Sequence, residues 1–354
     1  MLFAVLSACL AEQPAECGPV VLAGRGFDTA AECREQAPRL SADWLAGQPG
    51  LVRDRLECRA LADLAALPLQ PVAEGVHVHL GQIAPFEDSP DGWIANLGVV
   101  IGRDSIAVID AGTSRAQGQA LLAAIRGISD KPVSHVILTH LHPDHALGAS
   151  VFAEAGAAVA GHARLADALR ARGPVYLANM TRLYGPAAMI GTRIVPPDMA
   201  VADRLEIDLG GRVLTLTAAG PAHSDTDLTV LDRTTGTLFA GDLVFRGLTP
   251  IVDGSLPGWL DWMDRMDGTA PHMGTVVPGH GPLAAGWDQA APAQRDFLTA
   301  LDRATRQALN TGLPLSEAVP AIVEALKPAA GDWVSFADSV ARDATAAYKE
   351  LEWE

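Results

Sequence analysis

Apolar residues in this chain fall into two rhythms. Short runs recur with strand character: Val76–Leu80, Ile94–Ile101, Ser105–Ile109, Val133–Leu138, Ala157–Gly161, Arg212–Thr217, the stretch around Phe239-Ala240, and Val276-Val277. Glycine, proline and aspartate punctuate them, as buried strands bounded by turns require. Arg115–Arg126 has helical spacing, as do Gln289–Leu309, Leu315–Leu326 and Trp333–Leu351 near the C-terminus. Strands with interspersed helices predict an α/β sandwich, two sheets inside and helices outside. Residues 17–66 read as a small helical N-terminal module, with 52–61 as one of its helices, and Leu67–Pro71 as a linker. Gly173–Val201 carries no clean periodicity. It reads either as a packing insertion or as a substrate-facing flap holding Tyr176, Met180, Tyr184 and Met189, since long insertions in compact domains often serve as lids. No internal repeat is visible.

The polar residues that interrupt this pattern carry the chemistry. Directly after the strand Val133–Leu138 comes Thr139-His140-Leu141-His142-Pro143-Asp144-His145. Residues two apart in an extended segment face the same way, so His140 and His142 can meet one ion. Asp144 and His145, on the following turn, can meet a second. Imidazole with carboxylate suits zinc, iron or manganese better than calcium or magnesium. Further candidates sit where strands give way to turns: His223 in Gly220-Pro221-Ala222-His223, Asp242 in Gly241-Asp242, and His280 in Pro278-Gly279-His280-Gly281. The remaining histidines, His77, His79, His135, His162 and His272, read as structural. Of these His162 is the one expected nearest a cleft.

Composition narrows the function. A formal net charge of −16 argues against nucleic-acid binding, which demands a basic face. Hydrophobic residues make up 49% of the 354, ample for one large domain with appendages or for two domains. The four cysteines, Cys9, Cys17, Cys33 and Cys58, cluster near the N-terminus, away from the candidate ligands. That suits an oxidising compartment. Met1–Ala11 is apolar with small residues at its end and resembles the back half of a secretory signal, although the charged leading region is missing. Leu6-Ser7-Ala8-Cys9 also resembles a lipoprotein box with Cys9 as a lipid anchor; the alternative is a short buried N-terminal segment. Residues 1–16 are therefore set apart as signal-like or lipoprotein-like, and export to the periplasm is the expectation. Cys33–Cys58 is the preferred disulfide, stapling a module too small to build its own core. No run reaches the about eighteen apolar residues of a spanning helix.

The ordered set H-x-H-x-D-H, a later lone His, G-D and P-G-H-G resembles the metallo-β-lactamase fold superfamily over residues 70 to 290, leaving 291–354 as a C-terminal helical extension. The resemblance implies an αββα sandwich in which His140, His142 and His223 hold one metal, Asp144, His145 and His280 hold a second, and Asp242 bridges them. It also implies that Asp110 supports the ligand loop from outside, and that the loop Phe86–Trp93 overhangs the metals. Two Zn²⁺, with Fe or Mn as alternatives, would activate water, since zinc-bound water has a pKa near ~7. Asp144 would be both ligand and catalytic residue, orienting the attacking water. Hydrolysis of an ester, thioester, lactone or amide bond in a small-molecule substrate is what this implies. The rivals are an iron-dependent oxidoreductase or dioxygenase and a non-catalytic metal-bearing accessory. A bridging aspartate is typical of thioesterase, lactonase and phosphodiesterase branches rather than of true β-lactamases. Ala222–Val230, Gly254–Leu260 and Glu350–Glu354 are most similar to zinc metallohydrolases associated with quinoprotein dehydrogenase systems and to sulfur-oxidation-linked relatives. They imply an exported accessory whose partner is a periplasmic quinoprotein dehydrogenase system.

Overall fold

The computed structural model describes residues 1–269 and 273–353. His272 and Glu354, both named above, lie outside the described residues.

The chain begins with a three-stranded antiparallel sheet in the order β2-β1-β3, formed by β1 (Leu2–Leu10), β2 (Cys17–Phe27) and β3 (Leu51–Ala60). Helix α1 (Ala30–Ala46) covers one face. Thr29 caps it by accepting from the Glu32 backbone N–H at 3.2 Å. Ala4, Leu6 and Ala8 of β1 pack with Val20, Leu22, Cys33 and Ala37. Two expectations are corrected here. The apolar run Met1–Ala11 is the middle strand of this sheet, apolar because most of it is buried. Cys9 is bonded to Cys17, so the lipid-bearing reading of Cys9 gives way to a disulfide that closes the β1–β2 turn. The expected helix over 52–61 is the strand β3. Its charges imitate a solvated helix, but Arg55 and Arg59 pair with Glu57 along the strand, and charge is how an edge strand is kept from pairing further. Cys33 is bonded to Cys58 as expected, joining α1 to β3.

The main body holds two facing sheets. Strands β4 (Gln70–Ala73), β5 (Val76–His79), β6 (Leu97–Ile101), β7 (Ile106–Ile109), β8 (Val133–Leu138), β9 (Ala158–His162) and β10 (Met199–Val201) form the first, in consecutive spatial order. Strands β11 (Arg204–Asp208), β12 (Val213–Ala218), β13 (Leu228–Asp232), β14 (Thr237–Phe245) and β15 (Val276–His280) form the second. Residues alternate between faces along a strand. In β7, Ala107 and Ile109 therefore meet Leu214, Leu216, Val230 and Phe239 of the opposite sheet, while Ile106 and Val108 point outward. Both faces are covered, which is why these strands read as continuous apolar runs.

The outer layer of the first sheet is α2 (Arg115–Ile128), α3 (Pro143–Ala146), α4 (Ser150–Glu154) and α5 (Leu165–Tyr184). That of the second is α6 (Leu256–Thr269), α7 (Trp287–Ala290), α8 (Pro292–Asn310), α9 (Leu315–Leu326) and α10 (Phe336–Leu351). This is the αββα sandwich. The expected helix Gln289–Leu309 is two helices, because Pro292 starts a new one at its first turn, where the missing N–H costs nothing. Helix α5 runs twelve residues into the aperiodic segment 173–201, with Gly173 and Pro174 in its interior. The three C-terminal helices α8, α9 and α10 share one core with β14 and α6 rather than standing apart. The N-terminal sheet is moored to α2. Gln119 bonds Val21 N–H at 2.7 Å and Pro19 C=O at 3.0 Å, and Arg126 donates to Gly24 C=O at 2.9 Å. Among the described residues no helix is long and apolar enough to cross a membrane.

Candidate metal centre

The site is built where strand ends of both sheets converge. Strand β7 ends at Asp110, whose φ of 59° is left-handed, a strained setting for a non-glycine residue. Held there, the Asp110 carboxylate accepts from Thr139 N–H and Thr139 Oγ1, each at 2.8 Å, and lies 2.8 Å from His145 Nδ1. It thereby fastens the loop after β8, as expected of it. Pro143 then starts the short helix α3, which brings Asp144 and His145 inward.

All seven candidate ligands converge as two groups. His140, His142, His223 and Asp242 form one; Asp144, His145 and His280 form the other; within each group the ligand atoms lie within 4.8 Å of one another. His142 Nδ1 is 3.1 Å from His140 Nε2 and 2.8 Å from His223 Nε2. His280 Nε2 and His145 Nε2 lie 3.3 and 3.5 Å from Asp144 Oδ2. Asp242 stands between the groups. Its Oδ2 faces His223 Nε2 at 3.4 Å and His140 Nε2 at 3.6 Å; its Oδ1 faces His145 Nε2 at 3.1 Å and His280 Nε2 at 3.3 Å. Asp242 is not at the end of its strand: β14 continues to Phe245 with an irregular register against β15. The flanking glycines make room for it. A Cβ on Gly279 would collide with Asp242 Oδ1, and one on Gly241, at φ 53°, would meet Thr139 at 2.7 Å.

Each imidazole is held by its other nitrogen. His140 Nδ1 is 3.0 Å from Thr139 Oγ1, His223 Nδ1 is 2.7 Å from Ile251 C=O, and His280 Nδ1 is 3.0 Å from Ile94 C=O. His142 Nε2 is 2.9 Å from Asp253 Oδ2, which Arg172 of α5 also meets at 2.6 Å. Outer partners of this kind orient ligating histidines. The donor set passes a direct test for a metal. His145 Nε2 and Asp242 Oδ1 are buried with no hydrogen-bond partner among the described residues, although buried polar atoms are nearly always satisfied. Burial brings His223 down to about 3 and holds His140 well below its ordinary value, so both offer neutral imidazole. Burial would also lower His145 and His280, but Asp242 and Asp144 outweigh it, raising His145 well above its ordinary value and His280 to about 9. Burial would raise Asp242, but His280, His145, His140 and His223 hold it well below the ordinary carboxylate range. A cation is the species that compensates carboxylates so placed.

Above these residues opens a cleft of about 420 Å³. Phe86, Ile94, Phe245, Leu248 and Ile251 give it apolar walls, and Arg172, Tyr176, Met180 and Arg182 line it from α5. The loop Phe86–Trp93 does reach the cleft through Phe86 and Glu87, and Tyr184 Oη donates to Phe86 C=O at 2.8 Å. Segment 173–201 serves both ways: Tyr176, Met180 and Arg182 of α5 line the cleft, whereas Met189 packs into a small core beside Leu147 and Met180. Asp253, Arg172, the α10 residues Asp338, Ser339 and Arg342, and the α10 N-cap Ser335 also reach the site. No spacing in the sequence marks them, because each arrives from a separate loop or helix face. His162 does not line the cleft; its Nδ1 accepts from Arg164 N–H at 3.1 Å. His79 bonds Pro68 C=O at 3.2 Å and His135 bonds Ser134 at 2.8 Å, both away from the cleft.

Known proteins share parts of this chain. An acyl-coenzyme A thioesterase of Gallus gallus is 33% identical over 191 residues, 49% of this chain and 63% of its own length. A linear primary-alkylsulfatase of Pseudomonas sp. (strain ATCC 19151) is 36% identical over 62 residues, 18% of this chain and 12% of its own. The chain thus spans less than two thirds of either relative. The solved inverting sec-alkylsulfatase of Pseudomonas sp. superposes on 80% of this chain and 50% of its own, with a TM-score of 0.62 at 16% identity, a likeness of fold. Residues 90–297, which run from the loop above the cleft past His280 and hold all seven converging ligands, match the family model of the Metallo-beta-lactamase superfamily. Fold, ligand order and this match agree: the chain belongs to the metallo-beta-lactamase superfamily.

Proposed function

We propose that this protein is a dinuclear metal-dependent hydrolase, with zinc as the metal, acting on an ester, thioester, lactone or amide bond of a small-molecule substrate. The observation that carries this reading is Asp242, one oxygen turned to each group of ligands at the floor of an apolar cleft. The thioesterase and alkylsulfatase relatives support hydrolysis as the reaction class. Two bound ions would polarise the scissile carbonyl and lower the pKa of water. The chain's own residues do the rest. Asp144, ligand and cleft-lining residue at once, orients the attacking water. Asp253, fixed by Arg172, keeps His142 in place. Phe86, Ile94, Leu248 and Ile251 receive the apolar part of the substrate and exclude bulk water. The two disulfides support an exported protein, and an accessory role beside a quinoprotein dehydrogenase rests on the motif resemblance.

The test is a panel of an acyl ester, an acyl thioester, a lactone, an amide and a β-lactam, with zinc-loaded protein and its Asp144→Ala variant. Turnover of at least one ester-like substrate is expected, abolished by chelation and by the substitution, while His140, His142 and His223 still retain metal. Turnover that persists in the variant would contradict the role of Asp144. No turnover of any panel member would refute the hydrolase reading.

A further inference from the structure

We propose that Tyr176 is a catalytic residue of this site, its hydroxyl donating a hydrogen bond to the substrate oxygen that gains negative charge during hydrolysis. The inference rests on the hydrolase reading and adds a residue outside the ligand motifs. Tyr176 belongs to α5 and lines the same cleft as His142, Asp144, Asp242 and His280. Its ring is fixed from two sides. It stands edge-on to the His142 ring at 6.1 Å between centroids, and the Arg172 guanidinium lies over it at 5.3 Å. Arg172 is itself tethered to Asp253, the partner of His142, so the ring is positioned by the same contacts that position a metal ligand.

The hydroxyl is the anomaly. Tyr176 Oη is buried and has no hydrogen-bond partner among the described residues. A tyrosine hydroxyl taken out of water ordinarily finds one, because a buried polar group left unsatisfied is destabilising. Nearby Tyr184 shows the ordinary outcome, with its Oη on Phe86 C=O. Among the described residues, only two that line the cleft carry an orphaned buried polar atom: Asp242 and Tyr176. Asp242 is an acceptor and suits a cation. Tyr176 brings the complementary chemistry, a neutral donor that suits a developing oxyanion. A donor fixed before the reaction does not reorganise as charge appears, which is the basis of oxyanion stabilisation.

The test is Tyr176→Phe, which deletes one oxygen and keeps the ring against His142 and Arg172. With the best panel substrate, kcat is expected to fall at least tenfold with KM changed less than threefold. Metal content should stay the same, and the thermal midpoint should stay equal or rise, since no bond within the protein is lost. A second measurement is independent of turnover: calorimetric binding of an alkyl phosphonate monoester, a tetrahedral anion, to both zinc-loaded proteins. At least tenfold weaker binding by the variant is expected. Wild-type rates and wild-type phosphonate affinity in the variant would overturn the proposal, as would loss of metal or of stability, which would make Tyr176 a packing residue. If wild type turns over no panel member, the hydrolase reading fails, and the phosphonate comparison still decides whether Tyr176 contacts a substrate-like oxyanion.

Discussion

Asp242 carries more of this account than any other side chain. With Oδ2 toward His140 and His223 and Oδ1 toward His145 and His280, it would neutralise part of the repulsion between two dications held close together. Asp242→Ser is therefore expected to weaken both ions by tenfold or more in a competitive chelator titration. Loss confined to one ion would show that Asp242 does not bridge. The ligands are legible in the sequence because a metal needs particular atoms, and those atoms come from few residue types at strand ends. Asp110, which holds the ligand loop rather than facing the ligand groups, is legible only through the family resemblance. Asp253, Arg172 and Tyr176 are not. An aspartate holding a histidine, an arginine holding that aspartate, and a tyrosine ring against the same histidine leave no spacing pattern, since each contact joins distant segments through space.

Among the elements, those buried on both faces are the most legible, and those whose surroundings reverse the usual meaning of a pattern are the least. Strand β8 and helix α9 match their expected spans closely. Strand β3 does not, since charged residues on an exposed edge look like a solvated helix. Helix α5 hides its continuation because the residues after Gly173 divide between an open cleft and a small separate core. Helix α10 illustrates an element whose role is visible only in three dimensions. Its Asp343 accepts from Val252 N–H at 2.9 Å, beside Asp253 in the chain, while Asp343 Oδ2 is buried without a hydrogen-bond partner among the described residues. Burial pushes this carboxyl up from 3.8 to about 7, against the lowering effects of Val252 N–H and Arg342. A carboxyl raised in the folded state stabilises fully below its unfolded pKa, and that contribution is lost as pH climbs through the folded one. Asp343→Asn keeps the acceptor and removes the titration. Its thermal midpoint should therefore rise relative to wild type, by a few degrees, between pH 5 and pH 8. A constant difference across that range would show that Asp343 is ionised in the fold.

At the scale of the molecule, two sub-assemblies line the cleft and a third braces the sandwich from α2. The sandwich supplies the ligands from strand ends of both sheets. Helix α10, outside the residues matched by the family model, supplies Asp338, Ser339 and Arg342 to the cleft rim, and its N-cap Ser335 joins them. The disulfide-stapled N-terminal sheet grips the far side of α2, where the nearly inaccessible Arg115 side chain bridges Glu154 at 2.7 Å and Val21 C=O at 3.3 Å. The sandwich and its ligand order are legible because both faces of each sheet and the two ligand groups impose periodic or compositional demands. The docking of the end modules is not, because it depends on single side chains such as Arg115 and Gln119 reaching strand backbone. The proposed function requires this arrangement to hold two ions beside each other under an apolar cleft. Elemental analysis of protein purified without chelators and supplemented with zinc, iron and manganese tests that most directly. The account predicts about two transition-metal ions per chain, with zinc in excess, as two ligand groups sharing one carboxylate require; less than about half an ion per chain after supplementation would contradict it.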